Sequence, residues 1–433
     1  MRMFSGKSTA SIFAAWSLCA VVSAQAQVEP NTPAAREQPP ERERGVRLEF
    51  DQRPSVRIGR LLRLDVRLTS QADLRDLASP SASTNEDAFD LQRLRVGIEG
   101  TFLRKLEYQV EREMRDSSDP WRDVFVNLRV RRAAEIRAGH FKLPFSLDQT
   151  TGSKGLDFTY RSLAASYLAP GRDVGVMVHG DALGNGVKYE AGVFRRGGKT
   201  PLAVTGANAV NPRTVAGRLV LRPWTPSTPK PIRALALGLA VTSGRVPEGL
   251  NGLRGRTVGE DVFFDRVYVN GVRRRVGVEL QWRMGPVSAQ GEAIRVRDER
   301  RGQGIDNKDL PDMVSRGWYF NGTWLVTGER KKGTIEPTRP FLRNGIGALE
   351  LAGRIEELSF GSDMAGGGSS QGPRAPHPSE KSDRALTAGV NWYLNEFIKV
   401  QADVVRELRR DGGRVLDSRG RLWSRTVRVQ FAL

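Results

Sequence analysis

The chain has 433 residues, of which 27% are charged and 39% hydrophobic, and a formal charge of +19 at neutral pH. A soluble protein of this length ordinarily divides into domains built on helical stripes or mixed cores, and such stripes are scarce here. Beyond the N-terminus no apolar run reaches the ~18 residues of a membrane helix, and the basic excess points to an anionic partner.

The chain begins MRMFSGKSTASIFAAWSLCAVVSAQAQ, with Arg2 and Lys7 ahead of an apolar stretch that runs to Val22 and closes on Ala24-Gln25-Ala26. A basic head, a short apolar segment and a small-x-small exit read as a cleaved secretory signal over residues 1–26 rather than an anchor. Cys19 lies inside it, so the exported chain would contain no cysteine and no disulfide. Export also argues against nucleic acid as the anionic partner. Residues 27–45, rich in Pro, Glu and Arg, read as a disordered leader, and residues 46–433 as one domain.

From there strand-like segments recur between turn residues. The first are expected at Val56–Leu68, Leu91–Leu103, Lys105–Met114, Val124–Arg131 and Ala134–Phe141. Val174–Ala182, Val187–Phe194, Thr214–Arg222, Arg233–Val241 and Val276–Met284 follow. The series ends with Val287–Val296, Trp318–Thr327, Ala348–Leu358, Ala385–Leu394, Ile398–Leu408 and Leu422–Leu433, and the region Asp261–Val269 is a candidate for one more. Roughly sixteen segments of ~8 to 12 residues match the length of tilted membrane-spanning strands.

The stretch VGVELQWRMGPVSAQGEAIRVR (276–297) shows the pattern best. Val276, Val278, Leu280, Trp282 and Met284 alternate with Gly277, Glu279, Gln281 and Arg283, and alternation resumes beyond the Gly285-Pro286 turn. A soluble sandwich also has period two, with its apolar face inward. Here the strands are numerous and evenly long, and charge fills the polar face of nearly every hairpin. Both features favour an all-β, transmembrane, antiparallel up-and-down barrel with lipid outside and a wet, charged lumen. Closure leaves no unpaired edge in the bilayer. Short links (284–286, 395–397) alternate with long polar ones (297–314, 361–383), as in such barrels. Trp282, Trp318, Trp324, Trp392 and Tyr393 lie where interfacial aromatics belong.

Several blocks resemble the phosphate-selective porin O and P family of Gram-negative outer membranes. They are RLRVGIEGTF (93–102), LEYQVERE (106–113) and AGHFKLPFSLDQTTGSKGLDFTYRSLAASYLAPGRDVGV (138–176). SRGWYFNGTWLVTGERKK (315–332), GALELAGRI (347–355) and VNWYLNEFIKVQADVV (390–405) follow in order. The resemblance implies a homotrimer of sixteen-stranded barrels in the outer membrane, each with a long loop folded inward, and passive diffusion of small anions such as phosphate or polyphosphate. One departure is the C-terminus, Phe431-Ala432-Leu433, where outer-membrane barrels usually finish on an aromatic residue.

Alternation on the second strand puts Leu94, Val96 and Ile98 on one face and Arg93, Arg95, Gly97 and Glu99 on the watered one. The next hairpins place Asp123, Asn127, Arg129, Glu135 and Arg137 on the same face. Phe141 to Arg172 then runs without clear alternation, carrying Lys142, Lys154, Arg161 and Arg172. An irregular span of that length in a compact fold is usually functional, and the resemblance makes it the constricting loop. An anion that sheds water in a narrow pore needs oriented donors; arginine supplies a fixed fork and lysine a mobile point charge. A row of them makes shallow sites that an ion can both enter and leave. Arg93, Arg95, Arg137, Lys142, Lys154, Arg161 and Arg172 are therefore the candidate anion-binding residues. Glu99, Asp123 and Glu135 are the supporting carboxylates. The competing reading is an Arg–Glu lattice that stiffens the wall, with Arg172 equally able to pair with Asp173.

Enzyme signals are poor. His140, His179 and His377 lack metal spacing, and no G-x-S-x-G, phosphate-binding loop or paired-cysteine motif occurs. No cofactor, no metal and no catalytic activity is expected. The rivals are a general diffusion pore on the same fold and an exported soluble β-protein that binds acidic polysaccharide.

Overall fold

The computed structural model of the chain describes residues 45–77, 88–116, 119–198, 213–224, 227–331, 333–341, 343–363, 372–412, 414–415 and 421–433. The expected signal and, apart from Gly45, the expected leader lie outside the described residues.

β1 (Val46–Asp51) and β2 (Arg53–Ile58) form a hairpin turning on Gln52 at positive φ. β3 (Leu62–Leu77), β4 (Ala88–Phe102), β5 (Leu106–Glu113), β6 (Trp121–Arg131) and β7 (Ala134–Lys142) then run antiparallel in sequence. β8 (Arg172–Ala182), β9 (Val187–Phe194), β10 (Thr214–Leu221) and β11 (Leu235–Leu250) continue the sheet. The short pair β12 (Gly255–Arg256) and β13 (Val262–Phe264) stands apart from it. β14 (Tyr268–Met284), β15 (Val287–Arg300), β16 (Leu310–Leu325), β17 (Ala348–Ser362), β18 (Lys381–Tyr393), β19 (Ile398–Asp411), β20 (Arg414–Val415) and β21 (Arg421–Ala432) complete the chain. β21 pairs back onto β3, from Ala432 opposite Thr69 to Ser424 opposite Leu77. This closes an antiparallel barrel of sixteen strands, and closure satisfies every ladder without an edge.

Three details differ from the sequence expectation. Val56–Leu68 is broken at Gly59, which takes φ +49°, so its first part folds back as β2 against Leu62–Asp65 of β3. Asp261–Val269 adds no barrel strand; Val262–Phe264 pairs only with Gly255–Arg256, inside the link between β11 and β14. The side of short turns (103–105, 132–133, 183–186, 285–286, 394–397) also carries the longer links 222–234 and 326–347. Several strands outrun expectation at the loop side, because polar residues there leave the bilayer and no longer obey the apolar alternation.

Polarity is inverted relative to a soluble sandwich. On β14 Val276, Val278 and Leu280 are exposed while Arg273, Arg275 and Glu279 are buried. Val174, Val176 and Val178 of β8 and Val427 and Val429 of β21 likewise face out. Trp318 and Trp324 are exposed on the exterior, whereas Tyr393 faces inward, its hydroxyl donating to Glu350 at 2.9 Å. Among the described residues no helix is long and apolar enough to cross a membrane.

Candidate functional site

The segment 143–171, between β7 and β8, folds into the barrel and carries two short helices, α1 (Leu147–Thr150) and α2 (Leu163–Leu168). Each starts on a serine cap: Ser146 accepts from the Gln149 N–H and Ser162 from the Ala165 N–H. Asp148 accepts from the Ser162 N–H at 2.7 Å, and Arg161 donates to the carbonyls of Asp148 and Thr151, which stitches the helices together.

The loop lies against one half of the inner wall. Leu163 N–H donates to Glu356 at 2.5 Å, and Thr159 donates to Asp403 from its N–H at 2.6 Å and its hydroxyl at 2.8 Å. Ser146 donates to Glu292, and Lys399 donates to the Leu156 carbonyl. A buried carboxylate is costly unless donors surround it, and here the loop's donors do so. Small residues on the same wall make room. A Cβ on Gly317 would stand 2.9 Å from the Ala164 Cβ, one on Gly277 would press on Phe145, and one on Gly389 would stand 2.5 Å from a carboxylate oxygen of Asp403, the acceptor for Thr159. Phe145, Leu163 and Leu168 pack there with Phe263, Phe264 and Phe360, so the 251–267 link also folds inward. From the turn side, Lys331 reaches up to Asp157 of the loop at 2.6 Å and Glu350 of β17 at 2.7 Å.

The open lumen is left on the opposite side. A cavity of about 710 Å³ is lined there by Arg93 and Arg95 (β4), Lys142 (β7), Arg172 (β8) and Arg161 of the loop, together with Glu113, Arg115, Arg122 and Arg275. Five of the seven basic residues singled out in the sequence thus share one cavity. The other two are placed elsewhere. Arg137 stacks on Phe125 and Phe141, 4.4 and 5.7 Å from the ring centroids. Lys154 is exposed on the loop, and enclosure in the barrel, then nearby Arg67 and Arg53, hold its ammonium pKa below the usual lysine value.

The basic groups differ in their partners. Arg95 pairs with Glu113 at 2.9 Å, Arg172 with Asp123 at 2.7 Å and Arg122 with Asp116 at 3.1 Å. Arg172 therefore does not pair with Asp173, which instead accepts the N–H groups of Val174, Arg196 and Gly197 and fixes the start of the link after β9. By contrast, Arg93 donates to the Gln71 amide oxygen and Lys142 to the Thr151 carbonyl at 2.9 Å. Arg161 uses that same carbonyl, at 2.7 Å, with its nearest carboxylate contact to Asp148 at 3.8 Å. Two cationic heads converge on one neutral oxygen. Burial lowers the Arg161 pKa, opposed by Asp148 and reinforced by Arg172 and Arg95, whose positive charges lie close by.

Of the three carboxylates singled out, Asp123 borders the cavity through Arg172. Glu99 accepts from Arg53 and Arg67, and Glu135 accepts from Asn127 at 2.6 Å. Glu113, the partner of Arg95, was missed although it continues the inward alternation Gln109–Glu111–Glu113 of β5. Arg275 extends the inward alternation Gly277–Glu279–Gln281 of β14 by one step, whereas Lys331 carried no usable signal, because only the folded link brings it to the loop.

A closed sixteen-stranded barrel with apolar exterior, charged lumen and an inward loop defines an outer-membrane porin, a channel rather than an enzyme. The family profile of the phosphate-selective porins O and P matches residues 64–431, and the chain belongs to that family. Porin O of Pseudomonas aeruginosa is 27% identical over 135 residues, which cover 30% of this chain and only 28% of that relative's length. Among solved structures, the outer-membrane protein OmpT of Vibrio cholerae superposes with a TM-score of 0.52 at 10% identity, covering 86% of this chain and 98% of that one. The channel DcaP of Acinetobacter baumannii gives 0.52 at 10% identity, covering 86% and 97%. These likenesses bear on the fold alone.

Proposed function

We propose that this porin conducts small anions, with phosphate or polyphosphate favoured, through the cavity between the inward loop and the β4–β8 wall. The observation that carries the reading is the convergence of Lys142 and Arg161 on the Thr151 carbonyl, with Arg93 beside them and, among the described residues, no carboxylate closer than 3.8 Å to Arg161. At a distance of 4 Å two unit charges interact by about 4 kcal/mol at the effective dielectric of a protein surface. A doubly charged oxyanion held between two such groups recovers much of the hydration it sheds. The ion-paired Arg95, Arg172 and Arg122 flank this point as weaker sites, so the ion steps along rather than staying bound.

The same ion pairs favour a second reading, a general diffusion pore whose arginines only brace the wall. Ion selectivity in planar bilayers, with phosphate titrated against chloride current, separates the two. The first reading expects anion-biased reversal potentials in a salt gradient and block of chloride current by low phosphate. Absence of both leaves the second. Export by the N-terminal signal and assembly as a homotrimer belong to the same proposal. The trimer is supported by family resemblance and by a related OmpT structure described in a trimer form, with a TM-score of 0.53 at 12% identity.

A further inference from the structure

On β14 the outward positions from Met284 to Val276 are apolar, and the next outward residue toward the loop side is Arg274. From Trp282 to Arg274 the strand rises about 27 Å along its axis, about 20 Å of height at a tilt of ~40–45°. Arg274 thus sits at the upper border of the hydrocarbon. It is not alone. Arg245 of β11, Arg295 and Arg297 of β15, Arg316 of β16 and Arg301 just beyond β15 are also exposed at this end. The register sets Arg274 directly across from Arg297, and Arg295 directly across from Arg316.

Like charges opposite one another on an exposed sheet face are destabilising unless something neutralises them. The ion-pair partners of this group are four carboxylates. Glu299 serves Arg274 and Arg301, Asp363 serves Arg295 and Arg297, Asp312 serves Arg297, and Glu380 lies 3.9 Å from Arg316. Among the described residues Arg245 has no acidic partner. Six arginines against four carboxylates leave positive charge facing the lipid. On the far side of the barrel the outward Met114, Val174, Val193 and Val215 at the same end are apolar, with the exposed Arg112, Arg195 and Arg213 next to them along their strands. What sets the β14–β16 patch apart is that its arginines oppose one another in ladder register.

We infer that this patch binds the phosphate groups of the glycolipid in the outer leaflet, one phosphate bridging each cross-strand arginine pair. The loop side faces outward in barrels of this class, so the charge meets the phosphorylated head groups of that leaflet at their own depth. Guanidinium forks match phosphate oxygens in pairs. The site lies on the exterior and is independent of which ion the pore conducts.

The test uses the full-length protein extracted from outer membranes, with lipid A as probe. Native mass spectrometry of the wild type should show retained phosphorylated glycolipid. The double variant Arg295→Ser/Arg297→Ser should bind lipid A about 30-fold more weakly (about 2 kcal/mol), with single-channel conductance and heat-modifiable migration unchanged. Arg295→Lys/Arg297→Lys should keep most of the binding. Asp312→Asn/Asp363→Asn, which frees arginine charge, should strengthen it, a readout that does not depend on the serine variant folding. Equal binding by the wild type and the serine variant overturns the inference, as does a flat response to the asparagine variant.

Discussion

On β15, β17 and β19 the inward carboxylates Glu292, Glu356 and Asp403 accept hydrogen bonds from the loop that lies over them. On β4, β7 and β8 the inward Arg93, Arg95, Lys142 and Arg172 line open water instead. Both halves come from the same kind of strand, polar inward and apolar outward. They differ in what covers them. The acidic half holds the loop in place through the loop's own donors, and those donors neutralise it. The basic half is left facing the open cavity. Charge on a porin wall therefore does not by itself mark an ion path, since in the covered half it serves to hold the loop.

The comparison breaks most readily at the bare wall. Lys142→Glu changes the local charge by two units, losing the hydrogen bond to the Thr151 carbonyl but none of the loop's contacts with the acidic wall, and it should abolish or reverse anion preference. The reversal potential in a salt gradient checks this, and Arg161→Glu should act in the same direction while also loosening the joint between α1 and α2. An unchanged potential in both variants would return these residues to a bracing role.

The covered wall should respond differently. Glu356→Ala removes the acceptor of the Leu163 N–H and the Tyr160 hydroxyl and leaves Arg354, at 2.9 Å, without its carboxylate. Breaking a buried pair in this way costs about 3–5 kcal/mol, so the expected outcome is a lower unfolding temperature and a larger, noisier conductance as the loop leaves the wall. Gly317→Val tests the same contact from the other direction. It crowds Ala164 at a cost of about 1–3 kcal/mol and should push α2 toward the lumen, lowering conductance with little change in selectivity. A rise in conductance would show that α2 is not seated there.

The smallest effect is expected at Arg137. Its guanidinium rests on Phe125 and Phe141 and is not among the residues lining the cavity beside Lys142 and Arg161. Arg137→Met should leave selectivity nearly unchanged and alter stability by about 1 kcal/mol, the scale of an ordinary cation–π contact. A selectivity shift as large as that of Lys142→Glu would dissolve the distinction between the two sets of arginines.

The barrel was legible because its governing constraint is local. Every strand must show lipid one face and water the other, so Val276–Met284 or Val187–Phe194 announces itself residue by residue. The turn at Gly59 was less so, since a broken alternation over three residues resembles a bulge. The irregular span Phe141–Arg172 was visible as a functional segment, but nothing in it stated which wall it would cover.

An approximate strand number and inward basic positions thus follow from the amino-acid order alone, through period-two patterning. Its interruption at 141–172 marks a functional segment, which only the family resemblance read as an inward loop. Which basic groups find a carboxylate partner was decided only by the closed barrel. Glu113 reaches Arg95 from the neighbouring strand, Asp123 reaches Arg172 from two strands away, and Lys331 meets Asp157 from a link 174 residues away in sequence. Partnering of charges depends on distances between segments remote in the chain, and those distances exist only once the sheet has closed on itself.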